Sequence, residues 1–307
     1  MTKLPAMVAD YGHRSWQEAF DPKELSGGPS PWGNSRYQAF KHCPYWYYWN
    51  YIKRMTPELH DVYLETGGLW HEVRAKVGNV YLKAIESAPG ETQVKGIHAA
   101  CIDAGWTIIN RAEPLVPGIA GKVRHMYESW LPLRGPGAPG CDLDTLYGVE
   151  EILQVSEPVP YSARVDQWHW TTGPVIKEIK TAGRRDGRLI DSYLMDSQFL
   201  GHMYLWKRTM QRRWGKLHSY HVDLITTAKK AYVGPETVAI REDLVRDWLK
   251  ETKWTYAQII QCEMSGHWPK RRTWRCTRGN RPCGLYDHCS SGGKNQIGWR
   301  KKLKGEY

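Results

Sequence analysis

The sequence predicts an α/β fold with a helical N-terminal half and a sheet-bearing C-terminal half, on three observations. Residues 67–87 repeat apolar positions at three- and four-residue steps (Leu69, Val73, Val77, Val80, Tyr81, Ala84), as an amphipathic helix does. Residues 161–180 instead alternate every second position on either side of Thr171-Thr172-Gly173-Pro174, the pattern of two strands joined by a turn. Residues 132–146, rich in Pro and Gly, separate the two patterns.

Composition narrows the setting. A chain of 307 residues can form one large domain or two small ones around a proper core. Its 16 Trp and 18 Tyr stand against only 3 Phe. Rings with a polar tip suit half-exposed surfaces and base stacking as well as cores. The net charge of +11 favours a polyanionic partner, without separating nucleic acid from an anionic membrane surface. No apolar run is long enough to span a bilayer, and residues 1–15 lack the apolar centre of a signal peptide, so a cytoplasmic protein is expected.

In chain order, residues 1–33 read as an arm, rich in Pro, Gly and Ser and without a period. Asn34 or Ser35 can cap a first helix with Tyr37 and Phe40 on one side. His42-Cys43-Pro44 interrupts it, and Pro44 suits the first position of the aromatic helix that follows. The helix at 67–87 comes next, with His71 in its first turn, and then helices at about 94–109 and 119–131. Strands are expected at 147–155, 161–166, 175–180, 217–226 and 231–233, with a basic loop at 184–188 and a helix at 192–210. A late helix covers 242–263. The reading gives an arm (1–33), one domain (34–289) and a basic tail (290–307). Within the domain, 34–131 is helical, 147–240 is the sheet core, and 241–289 is the last helix with a cysteine segment.

Two clusters carry chemistry. Glu178 and Lys180 share one face of their strand because strand side chains repeat every two residues. An antiparallel partner across the turn brings Asp166 beside them. Two carboxylates and an ammonium on a rigid sheet can hold a divalent cation and steady a developing charge. Glu150 or Glu151 could add a further contact, although a solvated strand face explains them better. The second cluster is Cys276, Cys283 and Cys289, set among Gly, Pro and Arg with no apolar period. Such thiols point to an iron–sulfur or zinc site. Cys43, at the helix break, is the natural fourth ligand, and His288 is the alternative that would complete a Cys3His zinc site. Cys101, Cys141 and Cys262 read as packing residues.

Taken together, these stretches resemble the PD-(D/E)XK nuclease superfamily, specifically RecB-like exonucleases with a four-cysteine iron–sulfur cluster, a group that includes CRISPR-associated iron–sulfur exonucleases, AddB-type nucleases and phage relatives. The resemblance spans about Ser35 to Cys289. It rests on SRYQAFKHCPYWYYWNY, on GGLWHEV, on SARVD, on Glu178-Ile179-Lys180, and on CGLYDHC. The chain departs from the family pattern in having Ser162 or Ala163 where a glycine is usual, His202 where a tyrosine follows Gln198, and a long gap from Cys276 to Cys283.

The resemblance implies a restriction-endonuclease-like core, a mixed central sheet flanked by helices, with the N- and C-terminal segments joined at a metal cluster. It implies metal-dependent exonuclease cleavage of DNA that has accessible ends or single strands, in phage or prokaryotic recombination or processing, in a bacterial or phage-infected cytoplasm. His71, Asp166, Glu178 and the Ile179 carbonyl would bind Mg2+ or Mn2+. Asp166, Glu178, Lys180 and Gln198 would act in catalysis, and Cys43, Cys276, Cys283 and Cys289 would hold a [4Fe-4S] cluster, with Zn2+ as the alternative. Tyr204, Arg184, Arg185 and Arg188 are candidate DNA contacts, and the basic tail with Trp274 and Trp299 is a candidate single-strand track. The competing reading is a catalytically inactive nucleic-acid-binding module stapled by zinc or iron–sulfur.

Overall fold

A computed structural model describes residues 32–57, 62–87, 94–271, 276, 283–294 and 299–301. Residues 1–31 of the expected arm (1–33), Trp274 and the tail beyond 301 lie outside the described residues, and of Trp299 only the backbone is described. The chain begins with α1 (Asn34–His42), α2 (Pro44–Tyr47) continuing into a π-helical turn at Tyr48–Ile52, and the short β1 (Met55–Pro57). Gly33 rather than Asn34 or Ser35 caps α1, and Tyr37 and Phe40 are its buried residues. Cys43 takes an extended backbone between the two helices, with Pro44 opening the second as its sequence position predicts.

The chain divides into two compact units, one helical (His60–Leu143 with Thr227–Ala231) and one built on a sheet (Gly27–Leu59, Asp144–Thr226 and Tyr232–Tyr307). The helical unit contains α3 (Val62–Ser87), α4 (Val94–Ala112) and α5 (Pro117–Arg134). The helix expected from Gly67 starts at Val62, so Gly67 and Gly68 are interior and His71 lies beyond the first turn. Each interior glycine costs about 1 kcal/mol of helix propensity. Burial of Thr66, Leu69 and Trp70 on the same stretch outweighs that cost, and the Thr66 hydroxyl donates to the Val62 carbonyl. Trp70 meets Trp130 edge-on at 6.1 Å, and Tyr127 stacks on Trp130 at 5.8 Å. Gly105 lets α4 approach this cluster, since a Cβ there would run into the Tyr127 hydroxyl. The expected loop from residue 132 begins only after Arg134, because Pro132 is accommodated in the last turns of α5.

The sheet unit holds β2 (Leu146–Val155), β3 (Tyr161–Trp170), β4 (Pro174–Ala182), β5 (Ser219–Thr226) and β6 (Val233–Val238) in that spatial order. The β4–β5 pair is parallel and the others antiparallel, so the sheet is mixed and flanked by helices, as expected. A parallel pair needs a crossover. Here it runs through α6 (Gly187–Tyr193), α7 (Ser197–Leu205), a π-helical turn at Trp206–Met210 and α8 (Gln211–Trp214). The single helix expected at 192–210 is therefore broken, because Asp196 starts α7 by accepting from the Gln198 amide at 2.7 Å. The last strand lies at 233–238 rather than 231–233. It is an edge strand, which tolerates Pro235. Next, α9 (Glu242–Ser265) packs on α7 and α1, burying Trp248, Ile259 and Cys262. The described residues end with α10 (Tyr286–Ser290) and β7 (Trp299–Lys301), which pairs antiparallel with β1.

Candidate active site

The β3–β4 register pairs Gln167 with Lys177 and Trp168 with Ile176. Asp166 and Glu178 are the next residues along the two strands, just beyond the last paired position. Asp166 Oδ2 accepts from the Ile179 amide at 2.7 Å, which fixes one carboxylate oxygen. Lys180 Nζ donates to Glu178 Oε1 and to Gln198 Oε1, both at 2.8 Å. The Gln198 amide in turn donates to Glu178 Oε1 at 2.5 Å. Two adjacent strands and the first turn of α7 thus converge on one cluster. Gly201 allows this, since a Cβ there would strike the Tyr161 hydroxyl on β3 and hold α7 away from the sheet.

The electrostatics follow from burial. Asp166 and Glu178 are both buried, and Lys180 is half-buried. Burial works against the Lys180 ammonium, but Glu178 and then Asp166 outweigh it and hold the amine above its usual value, as a cation. Behind Glu178 stand two residues that the sequence did not single out as a pair, His202 and Tyr220. His202 Nδ1 lies 2.8 Å from the Tyr220 hydroxyl and 3.4 Å from Glu178 Oε2. Burial drives the imidazole below its ordinary pKa against the pull of Glu178 and Asp166, so it is neutral. Burial, with Glu178 and Asp166, also pushes Tyr220 well up, so it remains a phenol.

Glu178 Oε2 is buried with no hydrogen-bond donor among the described residues. A buried carboxylate oxygen without a donor suits a cation. One carboxylate oxygen of Glu150 lies within 4.8 Å of one of Asp166. Glu150 is not the solvated strand residue expected of it. Its side chain is 9% exposed and pairs with Arg164 Nε at 2.5 Å, and its backbone takes a left-handed φ of 56°. That conformation is uncommon for a residue with a side chain, and no sequence pattern announces it. Glu151 is also engaged, accepting from Trp168 Nε1 at 2.5 Å. His71 lies on α3 in the helical unit, half-buried between the buried Trp70 and Glu72.

The proposed DNA contacts separate. Arg184 is exposed, 3.7 Å from Asp186, and Arg188 is exposed. Arg185 is committed to Glu236 at 2.6 Å and stacks over Tyr232. Tyr204 is 5% exposed and packs against Trp248 of α9 at 5.7 Å.

The four cysteines expected as cluster ligands all belong to the sheet unit and are not in disulfides. The Cys283 amide donates to the Cys276 carbonyl at 3.0 Å, closing the long gap between them. Burial raises the Cys283 thiol, and Cys276, Cys289 and Cys43 raise it further. Burial likewise raises Cys289, with Lys270 opposing and Cys43 and Cys276 adding to the rise. Four thiols within electrostatic reach of one another are costly to ionise alone, and a metal removes that cost by taking the thiolates as ligands. His288, the alternative fourth ligand, is buried with Nε2 3.1 Å from the Tyr45 hydroxyl and its ring 4.7 Å from Trp49. Cys101 and Cys262 are buried and Cys141 half-buried, as packing residues should be.

No family model matches the chain, and no curated protein matches it. Among solved structures, the chain is similar to a provisionally assigned exonuclease from Eubacterium rectale, at 10% identity and a TM-score of 0.49, covering 92% of this chain and 95% of that one. It is also similar to the crystal structure of SSO0001, at 15% identity and a TM-score of 0.27, covering 66% of this chain and 89% of that one. At these values neither likeness fixes a family. No described helix is long and apolar enough to cross a membrane.

Proposed function

We propose that the protein is a metal-dependent DNA exonuclease of the RecB-like kind. The observation that carries this is the joined set of Asp166, Glu178, Lys180 and Gln198, in which a buried carboxylate is shared by an ammonium and an amide. Asp166, Glu178 and the Ile179 carbonyl would hold Mg2+ or Mn2+, with Glu150 adjacent to Asp166. Oxygen donors of this kind suit those hard cations, and the donorless Glu178 Oε2 fits one. His71 enters the ligand set from the sequence resemblance.

When bound, the cation would polarise a phosphate and make water a better nucleophile at neutral pH. The chain's own residues supply the rest. The Lys180 ammonium, fixed by Glu178 and Gln198, would supply positive charge to a phosphoryl group that gains negative charge. Gln198 fixes the lysine and shares its acceptor, so the cluster moves little as charge develops. Neutral His202, with Tyr220, backs Glu178 and keeps a competing cation away from it.

Cys43, Cys276, Cys283 and Cys289 would hold an iron–sulfur cluster, or zinc, and add a metal staple to the β1–β7 pairing. The test uses single- and double-stranded DNA labelled at either end, with Mg2+ or Mn2+. Stepwise loss of mononucleotides from one end is expected. Intact substrates of every kind would remove the reading. A protein purified without air that is brown and bleaches with dithionite holds iron–sulfur, and a colourless zinc protein does not.

A further inference from the structure

A cluster of rings at the far end of the β3–β4 hairpin goes unused by the chemistry above. Trp168 and Trp206 are its buried base, 5.5 Å apart. Trp214 packs on Trp168 at 5.0 Å, and Tyr147 on Trp168 at 5.3 Å. Trp170 lies 6.3 Å from Trp214 and 6.4 Å from Tyr147. The base is ordinary core, but the outer rings are not: Tyr147 is 51% exposed and Trp170 37%. An exposed group of large rings marks a contact surface more often than a packing accident.

The charge around the rings selects the partner. The Arg213 guanidinium stacks over Trp214 at 4.8 Å. Arg212 and Arg213 are exposed, and neither has a carboxylate partner among the described residues. Nearby Lys207 and Lys216, by contrast, share one carboxylate, that of Glu242. Flat rings beside uncompensated arginines are the two elements of single-strand binding, in which bases stack and phosphates are held as points of charge. A paired duplex offers the phosphates but hides the base faces.

The platform is also well placed. Asp166, Trp168 and Trp170 all belong to β3. Trp170 is four residues beyond Asp166, roughly 13 Å at about 3.3 Å per residue.

We infer that Tyr147, Trp170, Trp214 and Arg213 form a docking platform for single-stranded nucleic acid, separate from the cleavage site. As a route for substrate to that site, the platform rests on the nuclease reading; as a binding surface it does not.

The experiment is a titration of the full chain with a fluorescein-labelled oligothymidine of about 20 nucleotides, in EDTA so that nothing is cut. Stacking contributes on the order of 1–3 kcal/mol per base. Trp170→Ala with Trp214→Ala should therefore weaken binding at least tenfold, while Trp170→Phe with Trp214→Phe stays within about threefold of wild type. Arg213→Ala should lower the salt dependence by about one phosphate contact. Should Trp214→Ala fail to fold, Trp170→Ala with Tyr147→Ala at the two exposed rings makes the same test. An alanine pair that folds and binds as wild type does, or a blunt duplex that competes as well as the single strand, overturns the platform. If DNA is cleaved normally while the alanine pair binds as wild type, only the platform falls. If wild type cleaves nothing yet binds through these rings, only the nuclease reading falls.

Discussion

Lys180 Nζ stands 2.8 Å from Gln198 Oε1, joining the end of a strand to the first turn of a helix across a chain crossover. The same glutamine donates through its amide to the carboxylate that Lys180 contacts. Gln198 is thus a positioning residue whose two hydrogen bonds hold the lysine and Glu178 in register. Net hydrogen bonds are worth about 1 kcal/mol each, so Gln198→Ala should slow cleavage roughly ten- to thirtyfold at saturating metal. Gln198 is half-buried at the start of α7, so the unfolding temperature should change little. Single-turnover kinetics alongside thermal unfolding checks both.

His202 and Tyr220 matter for a different reason. Replacing His202 with Ala takes the hydrogen-bond partner from the buried Tyr220 hydroxyl. A buried polar group stripped of its partner costs about 1–3 kcal/mol. A fall in unfolding temperature is expected for His202→Ala, and a smaller one for His202→Asn if its amide reaches Tyr220. No change in His202→Ala would show that the contact carries no stability.

The imidazole also sets a pH limit. Its folded pKa is lowered below the ordinary 6.5 by burial, so the unfolded chain takes up the proton first as pH falls. The stability from neutral His202 is complete above about pH 6.5 and is lost as pH drops from there toward the folded value. Measured in chelator, wild type should lose stability across that range more steeply than His202→Phe.

Metal removal tests the staple. Cys43 and the three late cysteines lie on segments distant in sequence, and β1 pairs with β7 in a short backbone ladder. Cys43→Ser should lower iron or zinc content and the unfolding temperature together, with DNA cleavage falling in proportion to folded protein. Unchanged metal content would remove Cys43 from the ligand set.

Much of this was legible in the sequence where a rule of period applies. Strand alternation placed Glu178 with Lys180 and beside Asp166, and a proline at a helix start marked Cys43. What the sequence hid depends on three-dimensional packing. His202 in a helix among apolar residues has no pattern that separates a core histidine from one backing Glu178, and Tyr220 looks like any strand aromatic. No residue type signals the left-handed φ of Glu150. Gly67 and Gly68 read as a helix start, but burial on both sides carries α3 through them. Tyr204 sits two residues past His202 and turns into the core, where Trp248 meets it.

The most direct measurement is single-turnover cleavage of end-labelled single-stranded DNA at saturating Mn2+ by wild type and Lys180→Ala, with Mn2+ binding followed in parallel. Loss of one preorganised charge donor should cut the rate by about 10²–10³-fold, while Mn2+ affinity stays close to wild type because Asp166 and Glu178 remain. Equal rates for the two proteins would contradict a catalytic role for the Asp166, Glu178, Lys180 and Gln198 cluster.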